Sequence, residues 1–193
     1  MSFLNVILTE NFISVISDGQ ITEHNSITQE NFQKFYVSKN HFVIGITGYE
    51  KIVRDIKKRF HYFPKLSYQE AQLLLIDELR KYRKKQNGIG KLIRFNAVIA
   101  GFTDSSSVSS ARTFHIEKGE ISTRDYSSQA VLSLCPDDIS FNPNQLIAQN
   151  ISLENGKILP FQAQALQRST LFKVAEQSNA VNKIIFQELI ENE

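Results

Sequence analysis

Apolar and polar positions alternate from the first residues of the chain. In SFLNVIL, Phe3, Asn5 and Ile7 fall on one side and Leu4, Val6 and Leu8 on the other, which is the period of a β-strand. Phe12 to Ile16 is a second apolar, β-branched run, and Glu10-Asn11 between the two predicts a hairpin that ends at the acidic corner Asp18-Gly19. After a polar stretch from Gly19 to Asn31, two further short strands are predicted at Lys34 to Val37 and His41 to Ile46, with Asn40 at the turn. From Tyr49 the period lengthens. Ile52, Val53, Ile56 and Phe60 recur at helical spacing until Pro64 stops the pattern.

Ser67-Tyr68-Gln69-Glu70 is a capping box, in which the Ser hydroxyl and the Glu carboxylate satisfy N–H groups that a first helical turn leaves unpaired. The helix it announces carries Ala71, Leu74, Leu75, Leu79 and Tyr82 on one face and is predicted to stop near Gly88. Strands resume at Leu92 to Gly101 and Thr113 to Ile116, then run from Ile121 to Tyr126 into Ala130 to Leu134, with a Lys118-Gly119 turn. Pro160 opens a predicted helix over Phe161 to Gln177, with Ala165, Leu166, Ser169, Phe172 and Lys173 along one side. Val181 to Ile190 satisfies both a helical and an alternating template, and periodicity does not choose between them. This order of elements predicts one α+β domain over residues 1–193, with helices layered on antiparallel sheets.

Composition narrows the class of function. With 41% hydrophobic residues in 193, the chain can bury one sizeable core. Its apolar runs fall far short of the roughly 20 residues that span a bilayer, and no basic segment leads into an apolar one at the start. The single cysteine, Cys135, suits a reducing compartment, so a cytoplasmic protein without membrane association is expected. The net charge is only +2, yet residues 51–94 hold thirteen Lys or Arg against four Asp or Glu. An anion- or nucleic-acid-binding face is one reading of these basic helices. The other is a solvated helix whose late cations, Arg80, Lys81, Arg83, Lys84 and Lys85, complement the negative end of the helix dipole without any ligand. No aromatic-rich RNA-binding strand accompanies the charge, so a nucleic-acid partner is not expected. His24, His41, His61 and His115 show no metal-ligand spacing with one another or with Cys135, and Gly88-Ile89-Gly90 lacks the rest of a phosphate-binding fingerprint. No metal and no cofactor is predicted.

One constellation remains. Ser2 and Asp18 are sixteen residues apart, Lys34 follows after another sixteen, and Gly48 fourteen later. The segment SFLNVILTENFISVISDG resembles the opening hairpin of the proteasome-type N-terminal nucleophile (Ntn) hydrolases, in which a nucleophile starts the first strand and an acid closes the second. QKFYVSKNHFVIGITG resembles that family's lysine-bearing strand and the apolar strand that ends in glycine before the first helix. FNAVIAGFTD and TFHIEKGEISTRDYSS are similar to its later strand and hairpin, and about two thirds of the chain is covered.

The resemblance implies a four-layer αββα sandwich, two antiparallel sheets between helical layers, and self-association into a ring. It also implies amide or peptide bond hydrolysis. Ser2 would be the nucleophile once Met1 is removed, its own α-amine serving as base. The Lys34 ammonium would keep that amine neutral, since like charges disfavour protonation. Asp18 would orient Lys34, and the Gly48 N–H would meet the oxyanion. The chain departs from the family in using serine where threonine is usual and in placing Phe3 after it. It reads SSQAVLSL at Ser127 to Leu134, where a Gly-Ser-Gly stretch is expected. The family's second aspartate and its serine partner have no counterpart in context among Asp137, Asp138, Ser169 and Ser178. A non-catalytic scaffold or assembly subunit on the same fold is the alternative reading.

Overall fold

The alternation at the start of the chain becomes a hairpin in the computed structural model, which describes residues 2–23, 26–86, 94–103, 108–153 and 157–192. β1 (Leu4–Leu8) pairs antiparallel with β2 (Phe12–Asp18), with Leu4 opposite Ser17 and Leu8 opposite Ile13. Thr9 closes the turn, its hydroxyl donating to the Phe12 carbonyl and accepting from the Phe12 N–H. β10 (Ala130–Leu134) lies against β1 and β11 (Ile185–Glu191) against β2, giving a four-stranded antiparallel sheet in the order β10-β1-β2-β11.

A second sheet holds β5 (Phe35–Val37), β6 (Phe42–Thr47), β7 (Phe95–Phe102), β8 (Ser109–Glu117) and β9 (Glu120–Ser127) in chain order, all antiparallel. Between β2 and β5 the chain forms a separate two-stranded ribbon, β3 (Ile21–Glu23) with β4 (Ser26–Gln29). The described residues therefore carry three sheets where the sequence predicted two. The ribbon had no apolar alternation to betray it, because β4 is mostly exposed.

The two large sheets pack face to face through the side chains that alternation assigned to one side of β1. Leu4, Val6 and Leu8 meet Val43, Val98, Ala100 and Ala111 in one buried cluster. The opposite face of β6, β7 and β8 packs under α1 (Glu50–His61) and α2 (Tyr68–Gln86), where Ile44, Ile46, Ala97, Ile99 and Phe114 meet Ile52, Ile56, Phe60, Leu75 and Leu79. The predicted buried stripe of α1, Ile52, Val53, Ile56 and Phe60, is the observed one. The capping box is formed as predicted: the Ser67 N–H donates to Glu70 and the Glu70 N–H to the Ser67 hydroxyl. Late cations of α2 pair along its surface, Lys81 with Glu78 and Arg80 with Asp77, as on a solvated face.

On the other side of the four-stranded sheet lie α3 (Pro143–Asn150) and α4 (Pro160–Gln177). Phe3 and Ile16 pack on Leu171 and Val174, and Ile7 and Phe12 on Ile147 and Ala163. Three expectations change here. α3 was not predicted; it starts at Asn142, whose side chain accepts from the Asn144 and Gln145 N–H groups, followed by Pro143 at the first helical position. The face predicted for α4 is reversed, since Ala165, Ser169, Phe172 and Lys173 are exposed and the buried stripe is Ala163, Gln167, Thr170, Leu171 and Val174. Gln167 misleads the periodicity because a polar residue there is buried for its hydrogen bonds, to Ser14 at 2.6 Å and Asn5 at 2.8 Å. Finally, the ambiguous Val181 to Ile190 segment supplies a strand, because β2 has an open edge that β11 fills from Ile185 to Glu191. The predicted end of α2 near Gly88, the Gly88-Ile89-Gly90 stretch and the strand start at Leu92 lie outside the described residues.

Candidate active site

Asp18 ends β2 fully buried, and three donors converge on its carboxylate. The Phe3 N–H reaches Oδ1 at 2.9 Å, the Gln20 N–H reaches Oδ2 at 2.9 Å, and the Lys34 ammonium reaches Oδ2 at 2.8 Å. The Phe3 contact follows from the hairpin register: one step beyond the Leu4–Ser17 pair, the Asp18 N–H also donates to the Phe3 carbonyl. Burying a carboxylate is costly unless it is paired and hydrogen-bonded, and here both conditions hold.

Lys34 precedes β5 and is 3% exposed. Its N–H donates to the Ser17 hydroxyl and its carbonyl accepts from Ile46, so its backbone is tied to a strand of each large sheet. The ammonium also donates to the Asp18 carbonyl at 2.9 Å. Burial pushes the Lys34 pKa below the ordinary lysine value, and Asp18 pulls in the opposite direction.

Ser2, Lys34 and Gly48 line one cleft, together with Ile21, Phe32, Ile46, Glu50, Val53 and Ala180. Asp18 stands behind it, bonded to Lys34. Gly48 has φ of +122°, a conformation that side chains rarely adopt, and a Cβ there would sit 2.7 Å from the Phe95 Cβ and 2.9 Å from the Arg94 carbonyl oxygen. Glycine is thus required both by conformation and by the close approach of β7. The cleft is tight, with room for about 30 Å³, roughly one water's share of liquid volume. Its lining mixes polar and apolar side chains, and Glu50 among them is paired with Arg54.

Sequence spacing found Ser2, Asp18, Lys34 and Gly48, which come together here, but not the wall that faces them. Ala180 belongs to a loop after α4 that is fastened to the end of β2: the Gly19 N–H donates to Asn182 and the Gln20 side chain donates to the Asn179 carbonyl. Ser178, fully buried, starts that loop and donates to Asp138 at 3.0 Å. No spacing signal joins residues forty apart across a helix. Cys135 takes no part; burial and Asp137 raise its pKa, which keeps the thiol protonated.

No family model matches the sequence, and no curated protein matches it. Among the 434 solved chains that match, the crystal structure of eukaryotic HslV from Trypanosoma brucei aligns with 98% of this chain and 99% of its own, at a TM-score of 0.58 and 12% sequence identity. The chain has an HslV-like fold. HslV is a proteasome-type Ntn hydrolase, and the resemblance of the opening hairpin agrees with the structure at the coarse level of a mixed α/β, HslV-like fold. The alignment with HslV covers nearly the whole chain and is not confined to the opening hairpin. No helix among the described residues is long and apolar enough to cross a membrane.

Proposed function

We propose that this chain is a proteasome-like Ntn hydrolase that cleaves amide or peptide bonds, with Ser2 as nucleophile after removal of Met1. The observation that carries the reading is the buried Asp18–Lys34 pair standing directly behind the cleft that Ser2 and Gly48 line. A buried ion pair is weak evidence for stability, because well-packed apolar residues often serve a fold as well. A paired ammonium against the wall of a serine-bearing cleft is better accounted for by chemistry.

With the α-amine of Ser2 free, its ordinary pKa of about 7.7–8.0 already leaves a neutral fraction at physiological pH. The adjacent Lys34 ammonium lowers that value and enlarges the fraction able to accept the hydroxyl proton. Ser2 Oγ attacks the substrate carbonyl carbon, its proton passes to the amine, and the Gly48 N–H stabilises the oxyanion. The amine then protonates the leaving nitrogen, and water clears the acyl-enzyme by the same route in reverse. Asp18 fixes the ammonium and, through the Phe3 N–H, the strand just after the nucleophile. The packed clusters on both faces of each large sheet support a four-layer αββα sandwich, and by analogy with its fold the protein works in the cytoplasm as a self-associating ring.

The test is turnover of fluorogenic peptide amides by the wild type and by Ser2→Ala and Ser2→Thr. The reading expects loss of hydrolysis in Ser2→Ala and its retention in Ser2→Thr. Hydrolysis indifferent to Ser2→Ala refutes the nucleophile. An inactive wild type with Met1 already gone returns the fold to a non-catalytic scaffold.

A further inference from the structure

We infer that the Asp137-Asp138 dipeptide after β10 is a two-armed brace that holds the two walls of the Ser2 cleft at a fixed separation. Neither residue touches the cleft. Asp138 grips Ser178, which bonds the Ala180 N–H, and Asp137 grips Arg94, whose carbonyl lies against Gly48.

One arm runs through Asp138. Its carboxylate accepts from the Ser178 hydroxyl at 3.0 Å, and the same hydroxyl accepts from the Ala180 N–H at 3.3 Å. The Val181 N–H returns to the Ser178 carbonyl, so the turn that presents Ala180 to the cleft is wound around Ser178. The loop is then fixed to the exit of β2 by Gln20 and Gly19, beside Asp18. A serine hydroxyl has a single proton to donate; with an acceptor to fix its direction, its lone pair is held toward Ala180.

The other arm runs through Asp137, whose two carboxylate oxygens take the two terminal nitrogens of Arg94. A two-point grip fixes orientation as well as distance. The Arg94 carbonyl is one of the atoms against which Gly48 packs, so this arm governs how far the Gly48 peptide can shift. Because adjacent residues hold both arms, neither wall can move without displacing the segment that holds the other. Asp138 is exposed but its partner Ser178 is buried, whereas both side chains of the Asp137–Arg94 pair are exposed, and salt therefore weakens the Asp137 arm more.

The role in catalysis rests on the hydrolase reading; the mechanical coupling does not, and the experiment separates them. Amide hydrogen exchange is measured at Ala180, Gly19 and Gln20, with the β7–β8 ladder as an internal reference, in the wild type, Asp138→Ala, Asp138→Asn and Asp137→Ala, alongside kcat and KM for a peptide amide. Asp138→Ala is expected to speed exchange at Ala180 and Gly19 by about 10-fold without changing the reference, as a local opening does. Asp138→Asn, which keeps an acceptor for Ser178, restores it. In the kinetics the Asp138 arm moves a wall and raises KM more than it lowers kcat. The Asp137 arm moves the Gly48 donor and lowers kcat by about 10-fold with little change in KM, since small misplacements cost this much. Exchange that is unchanged, or that rises equally at the reference amides, overturns the brace. If the wild type hydrolyses nothing, the hydrolase reading fails and exchange alone decides the brace.

Discussion

Replacing Lys34 with methionine removes the charge from a buried pair and keeps most of the side-chain volume. Losing one partner of a buried pair costs about 3–5 kcal/mol, because the other charge is stranded. Here Asp18 retains its N–H donors from Phe3 and Gln20, each at 2.9 Å, which places Lys34→Met near the low end, at about 3 kcal/mol. Asp18→Asn costs a similar amount: the new amide N–H must face either the Phe3 N–H or the Gln20 N–H and the ammonium, and one donor then meets another. In the double variant neither charge is stranded, so its loss of stability falls short of the sum by about 2 kcal/mol. Urea unfolding of the four proteins measures this coupling. The pH dependence supplies a sign. Burial holds the Lys34 pKa below its ordinary value, so the folded protein releases that proton at a lower pH than the unfolded chain does. The cost of keeping the ammonium charged is complete below the folded pKa and is relieved as pH climbs from there to about 10.4. Across that window wild-type stability rises relative to Lys34→Met. A coupling under about 0.5 kcal/mol, or an opposite slope, would refute the account of the pair.

Gly48→Ala forces a Cβ to 2.7 Å from Phe95 at a φ of +122°, and is expected to cost about 1–3 kcal/mol in thermal or urea unfolding, with activity reduced further. Gln167→Leu strands Asn5 and Ser14, both fully buried; a loss of about 2–3 kcal/mol is expected, and a neutral result would mean that water replaces the amide. Cys135, with its pKa raised by burial and Asp137, should be alkylated by iodoacetamide at pH 8 more slowly than a free thiol peptide, and faster in Asp137→Ala.

Apart from the β3–β4 ribbon, the strands of the opening third were legible because they are local, and the family resemblance picked out the residues spaced along them. Ser2, Asp18, Lys34 and Gly48 lie within one run of hairpins, where alternation fixes which side chains face which sheet. The stripe of α1 was legible for a similar reason: its four buried residues are all apolar. α4 was misread because its buried stripe contains Gln167 and Thr170, polar residues kept inside by partners more than a hundred positions away in the case of Gln167. The strand at Ile185–Glu191 is decided by the open edge of β2, which no local window contains. The Ser178–Asp138 contact and the Ala180 wall depend on a loop folding back after an eighteen-residue helix, and that geometry exists only in three dimensions.

The central claim is that Ser2, freed of Met1, is acylated by substrate. Intact mass spectrometry of untagged protein incubated with an activated peptide ester, followed by tandem mapping, tests it most directly. The account predicts a chain lacking Met1 that gains a single acyl group on Ser2, faster as pH rises through the range in which the α-amine loses its proton, and no adduct in Ser2→Ala. Retained Met1, or an acyl group that settles on other residues and persists in Ser2→Ala, would contradict it.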